Sequence, residues 1–339
     1  MACSSSFWAQ MVIWTGRDPT PLSRIREYVK WSRERLLHIY VIRWFDPSTE
    51  DRMEKAQVKV ITELLLPHMN RWAVLSMKLL HASSLPCPRF DLVGHAENLV
   101  QLDLDFIVDD VVSRPTTALS PSGEFDTPKL EKLSMGGVHF RESYVVPFPQ
   151  LPTPPQLHSV ALTGYASPRV PFAPVDLMKA LLPCHKLRSV HLENLQLDIG
   201  ESDQSSLLWL NEFIDTHFGD MSGDVVEECE RLLCYPSSEQ ASYIHCSMPT
   251  RAPPAVEFEH GASYVDFIDI ASPTTLVHYL THKGTSAHVV TIKHCSGLQA
   301  EVLHALAKPT TMDLQVPQRR LAGGPRGASQ HLGGNGPHN

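Results

Sequence analysis

Apolar residues recur along this chain as a spaced trio, with members at i, i+3 and i+5. It appears as Leu99, Leu102 and Leu104 in "AENLVQLDL", as Leu130, Leu133 and Met135 in "TPKLEKLSM", and as Leu157, Val160 and Leu162 in "PPQLHSVAL". Two further copies are Trp72, Leu75 and Met77 in "RWAVLSMKL" and Leu187, Val190 and Leu192 in "HKLRSVHL". The last two members of each trio are separated by one polar or small residue, the alternation of a strand with one buried face. Ahead of the first copy, "STEDRMEKAQVKVITELLL" predicts a helix, with Ser48 as N-cap and Asp51 three residues on. Its apolar positions are Met53, Ala56, Val60, Ile61, Leu64 and Leu65, and Pro67 ends it at Leu66. "KALLPCHKLRSVHL" repeats the order of helix, proline and trio.

The first members fall at 72, 99, 130, 157 and 187, at intervals of 27, 31, 27 and 30. A near-regular LxxLxL unit of about this length predicts a leucine-rich repeat, in which each unit lays one strand on a concave sheet and returns by a helix or loop. One unit cannot bury its own apolar edge, so neighbours stack. The expected fold is α/β, an irregular leucine-rich-repeat solenoid with short parallel strands on the concave face. The position eight after the first leucine, where such repeats carry Asn or Cys, holds Ile107, Val138, Tyr165 and Leu195, with Asn194 one place early. Prolines 67, 128, 155 and 183 are expected to set the chain direction before strands.

The pattern divides the chain into an N-terminal strand and helix segment (1–46), irregular repeats (47–200), a helical insertion with degenerate final repeats (201–316) and a disordered tail (317–339). In the third segment "QSSLLWLNEFIDTHF" and "DVVEECERLLCY" read as two helices joined through residues 219–223, and 236–254 as a loop. The rhythm resumes at Val290 and Ile292, then a helix in "GLQAEVLHALAKP", then Met312 and Leu314.

Composition narrows the function classes. Of 339 residues 42% are hydrophobic, enough for a sizeable core, and the net charge of −8 supplies no positive field for nucleic acid or anionic lipid. No run approaches the roughly 20 apolar residues of a membrane span. Seven cysteines, an odd number without a CxxC pair, read as free thiols in a reducing compartment, and the N-terminus is a poor signal peptide. The cytoplasm or nucleus is the expected location.

The eighteen histidines invite metal or catalytic readings. The best clusters, His294-Cys295, Cys184-His185 and Cys229-x4-Cys234, do not reach the four ligands of a zinc site, and HExxH, GxSxG, P-loop and GxGxxG motifs are all missing. Asp103, Asp105, Asp109 and Asp110 lack the glycine and final glutamate of a calcium loop and read as exposed carboxylates. Arg319, Arg320 and Arg326 read as part of a solvated tail. No catalytic residue, metal or cofactor is expected. In "PHMNRW" Trp72 is expected in the core, with Arg71 and His68 holding the helix-to-strand turn. Residues between the buried trio members should point outward, which selects Gln101, Asp103, Lys132, Ser134, Ser159, Ala161, Ser189 and His191, with Asp105 and Glu193 just beyond. As a row they form the expected surface for a protein partner.

"REYVKWSRERLLHIYVIRW", then "LLLPHMNRWAVLSM" and "DTPKLEKLSM", over roughly residues 7–200, resemble the F-box and leucine-rich-repeat-like proteins of mushroom-forming fungi. That family's stretch of the type LxxxxPHxxRWxxLxL matches Pro67, His68, Arg71, Trp72 and Leu75. The resemblance implies a substrate receptor of a cullin-RING ubiquitin ligase, whose repeats choose the target while an F-box docks a Skp-type adaptor. Residues 1–35 offer no F-box helix, so the F-box itself is expected to be missing. The alternatives are then a truncated gene product without adaptor binding, or a repeat-only scaffold.

Overall fold

Each trio begins at a tight turn and continues as a strand. In the computed structural model the amides of Leu99, Leu130, Leu157 and Leu187 donate to the carbonyls three residues earlier, on Ala96, Thr127, Pro154 and Cys184. Pro128 and Pro155 occupy the second position of their turns, where the fixed φ of proline is preferred. The first apolar side chain leaves the turn inward, and the next two follow on extended chain. Every trio residue is at most 2% exposed.

The structure describes residues 7–43, 53–111, 123–146, 153–166, 171–199, 215–233, 239–248, 262–282, 287–295 and 300–307. Its strands are β1 (Gln10–Thr15), β2 (Leu37–Arg43), β3 (Trp72–His81), β4 (Gly94–His95), β5 (Gln101–Val108), β6 (Phe125–Asp126), β7 (Lys132–Gly136), β8 (Ser159–Tyr165), β9 (Ser189–Leu195), β10 (Asp215–Gly219), β11 (Gln240–Ile244), β12 (Tyr264–Ile268) and β13 (Val289–Lys293). The helices are α1 (Leu22–Trp31), α2 (Glu54–Leu65), α3 (Gly137–Phe140, running into a π turn at Arg141–Val145), α4 (Pro174–Leu181), α5 (Gly223–Leu233), α6 (Pro273–His282) and α7 (Ala300–Ala307).

Eleven of these strands form one sheet in the order β1-β2-β3-β5-β7-β8-β9-β10-β11-β12-β13, which is their order in the chain. All its neighbours run parallel. The short β4 and β6 pair separately. Burial alternates along the strands, as in β1 and β2, so one face is inward and the other outward. The inward residues join those of the helices, among them Ile25, Val58, Ile61, Leu65, Leu177 and Val226, in a single core. Met1–Ala307 form one compact unit. Among the described residues no helix is long and apolar enough to cross a membrane.

Several expectations are corrected. Helix α2 starts at Glu54 rather than near Ser48, which lies outside the described residues. Its buried face is Glu54, Val58, Ile61, Thr62 and Leu65, while Met53, Ala56 and Val60 are exposed. The cause is the fully buried Glu54 carboxylate. It accepts from the Arg43 guanidinium at 3.1 Å and from the amides of Leu80 and His81 at 3.0 and 3.1 Å, which fixes the rotation of the helix. The segment "DTHF", read as the end of a helix, is strand β10, and the stretch read as a loop contains β11. Strand β12, which carried no expectation, completes the run to β13. The supposed insertion thus continues the same sheet. Met312, Leu314 and the tail at 317–339 lie outside the described residues.

Candidate functional site

The outward side of the sheet is where the chain places its polar strand residues. Register aligns them in rows across the strands. One row runs Gln101, Lys132, Ser159, Ser189, and the next runs Ser76, Asp103, Ser134, Ala161, His191, His217, Ser242, Asp266. All nine residues selected from the sequence, Gln101, Asp103, Asp105, Lys132, Ser134, Ser159, Ser189, His191 and Glu193, are on this face, Lys132 exposed and the others half-buried. Sequence reasoning missed the continuation of the rows into Val12, Trp14 and Tyr40 at one end and into His217, Ser242 and Asp266 at the other.

Three lanes differ in chemistry. On β1 and β2 the outward residues include Val12, Trp14, Tyr40 and Ile42, an apolar and aromatic lane beside an open cleft of about 480 Å³ lined by Ala9, Gln10, Glu34, Arg35, Leu36 and His38. In the centre, Ser76 Oγ donates to Asp103 Oδ2 at 3.1 Å and Lys78 Nζ lies 3.3 Å from Asp105 Oδ2. Burial pushes the Asp103 carboxyl up, as does Asp105, against hydrogen bonds from Ser76 and Ser134 that favour its ionised form. The third lane, on β9–β12, holds His191 and His217 on adjacent strands. Their rings lie 4.0 Å apart at 32°, and His191 Nε2 is 3.3 Å from Glu193 Oε2. Burial, followed by the neighbouring His191, holds the His217 imidazole below its ordinary range. Gly219, paired with Glu193, leaves the space this carboxylate needs, since a Cβ there would meet Glu193 Cγ at 3.2 Å.

Along the rim where strands β9–β13 end, Asn194, Asp220, His245, Asp269 and His294 all have φ near +50°. This left-handed conformation is one that Asn, Asp and His tolerate better than most residues. Each stacks on the next: Asp220, His245 and Asp269 donate their amides to the carbonyls of Ile244, Ile268 and Lys293. From Asp220 to His294 the rim side chains alternate between carboxylate and imidazole, with His245 3.6 Å from Asp220 and 3.2 Å from Asp269, and His294 3.9 Å from Asp269. The residue after each turns inward. At two of these positions it is cysteine, Cys246 and Cys295, whose thiols donate to strand carbonyls, Phe218 and Ile244 for the first and Phe267 and Lys293 for the second. A sequence signal existed: "GDMS", "IHCS", "IDIAS" and "KHCS" place an Asp or His at 220, 245, 269 and 294, a spacing of 24 or 25.

Elsewhere several titratable groups serve the fold itself. Arg71 donates from Nε to the Arg35 carbonyl at 3.1 Å and from a terminal nitrogen to Ser32 Oγ at 2.7 Å, tying the entry of β3 to the loop before β2. Burial and the neighbouring Arg71 lower His68. Trp72 is 1% exposed and its buried indole nitrogen meets no hydrogen-bond partner among the described residues. Cys87, Cys184, Cys229, Cys246 and Cys295 are buried free thiols, and burial pushes Cys246 up to about 11, which leaves little nucleophilic thiolate at neutral pH. Among the described residues no three His, Cys, Asp or Glu side chains converge to hold a metal ion.

No family model matches the chain, and neither a curated protein nor a solved structure matches it.

Proposed function

We propose that this chain is an irregular leucine-rich-repeat solenoid that works as a non-enzymatic protein-interaction module, binding its partner on the outward face of the sheet. The observation that carries this reading is the sheet itself: eleven parallel strands in chain order with buried apolar residues on one side and a broad row of polar side chains on the other. A repeat array offers extended surface in place of a deep pocket. Supporting details are the first-position turns of the trios and the inward Cys246 and Cys295, which stand where the repeat pattern calls for Asn or Cys.

In keeping with the resemblance of the "PHMNRW" region, the module is the target-recognition part of an F-box type ubiquitin-ligase receptor. A repeat-only scaffold uses the same face without the ligase. A photo-crosslinking residue placed at Ala161, in the centre of the face, should capture a partner from cell extract, whereas the same residue at the exposed Lys179 of α4 should not. Equal capture from both positions contradicts the assignment of the face. Co-purification with a Skp-type adaptor separates receptor from scaffold.

A further inference from the structure

Resting on that reading of the outward face, we infer that its β9–β12 lane docks a basic segment of the partner protein, one rich in lysine or arginine. The lane combines the outward residues of four strands with the rim residue that follows each. Its carboxylates are Glu193, Asp215, Asp220, Asp266 and Asp269, and none of its positions holds Lys or Arg. Histidines apart, the lane therefore carries only negative charge. His217, held below its ordinary range by burial and by His191, does not offset it at neutral pH.

The contrast with the centre of the same face is what makes the partner chemistry specific. There Lys78 and Lys132 balance Asp103 and Asp105, and Lys78 is already paired with Asp105. On β9–β12 no outward or rim position holds a lysine or arginine, Arg188 standing just before β9 and Lys293 at the end of β13, and two of the carboxylates are held in place by Gln240. Asp215 accepts from the Gln240 amide at 3.1 Å and Asp266 from Gln240 Nε2 at 3.0 Å. Both keep further lone pairs for an incoming donor. Guanidinium and ammonium groups complement such an array, and arginine can bridge two carboxylate oxygens at once. A nucleic acid, whose phosphates are anionic, would be repelled. Four strands at about 4.8 Å spacing make a lane about 14 Å across, which an extended segment of four or five residues spans.

The test uses the full chain and labelled hexa-arginine, read by fluorescence anisotropy, with hexa-glutamate as the opposite-sign probe. Two triple variants remove the same charge. One is Glu193→Gln, Asp215→Asn, Asp266→Asn in the lane, where the amides retain the acceptors that Gln240 needs. The other is Glu63→Gln, Asp176→Asn, Asp224→Asn on exposed positions of α2, α4 and α5. Circular dichroism checks that both remain folded. Hexa-arginine should bind at low salt and lose affinity as salt screens the charges. The lane variant should weaken binding at least about tenfold, as expected when a site loses three of its charges, and the helix variant less than about twofold. Absence of hexa-arginine binding, equal effects of the two variants, or equal binding of hexa-glutamate would overturn the inference. The Ala161 crosslinking result does not depend on the charge of this lane, so a partner captured there while hexa-arginine fails leaves the outward face standing and removes only the basic-segment assignment.

Discussion

His217 lies half-buried on the outward face with His191 4.0 Å away, and both burial and that neighbour disfavour its protonated form. The sign of the resulting linkage is fixed. The folded chain takes up this proton less readily than the unfolded chain, whose imidazole keeps the ordinary value of 6.5. The contribution is intact above that value and is lost as pH falls from it through the lower folded-state value. The urea midpoint of the native chain should therefore fall between neutral pH and about pH 5 more steeply than that of His217→Gln. Parallel slopes for the two proteins would show that the histidine is not held as described. His217 was invisible to the sequence pattern because β10 offers no leucine: its inward residues are Thr216 and Phe218, and "DTHF" extends a stretch that reads as a helix. The neighbouring His191 was legible because it stands between Val190 and Leu192 of a trio.

Among the elements, helix α2 shows best where pattern stops and tertiary contact takes over. Its existence and its end were legible from the apolar spacing and Pro67, but its rotation was not, because the position that sets it is a charged one. Glu54 is 0% exposed and satisfies Arg43 together with two amides at the end of β3. Replacing Glu54 by Ala removes the buried carboxylate that the Arg43 guanidinium and the two amides share, and should cost about 3–5 kcal/mol in urea unfolding. Glu54→Gln, which keeps an acceptor for those amides, should cost less. Equal costs for both would mean that neither the amides nor the charge is served by this side chain. The strands divide in the same way. Those with Leu, Val or Met at both inward positions were read directly, whereas β1 presents Val12 and Trp14 outward and so has apolar residues on both faces, which erases its alternation. The left-handed rim of Asp220, His245, Asp269 and His294 was present in the sequence as a spacing of polar residues, a signal that a search for leucines passes over.

On the scale of the whole molecule, the nine outward residues selected on the four strands β5, β7, β8 and β9 turn out to be the middle of a longer surface. The sheet extends it by β1 and β2 on one side and β10–β13 on the other. The apolar lane, the balanced centre and the acidic lane are consecutive because the strands follow one another in chain order. A partner crossing the face would read them in sequence, and Ala161 stands in its centre with a half-buried methyl group flanked by Ser134 and His191. The most direct measurement is partner binding by Ala161→Arg, using the protein captured by crosslinking at that position. A long side chain there points to the uncovered side, so folding stability should change by no more than about 0.5 kcal/mol. The account predicts that this variant keeps its melting temperature and loses its partner. Unchanged partner binding by a folded Ala161→Arg chain would contradict it.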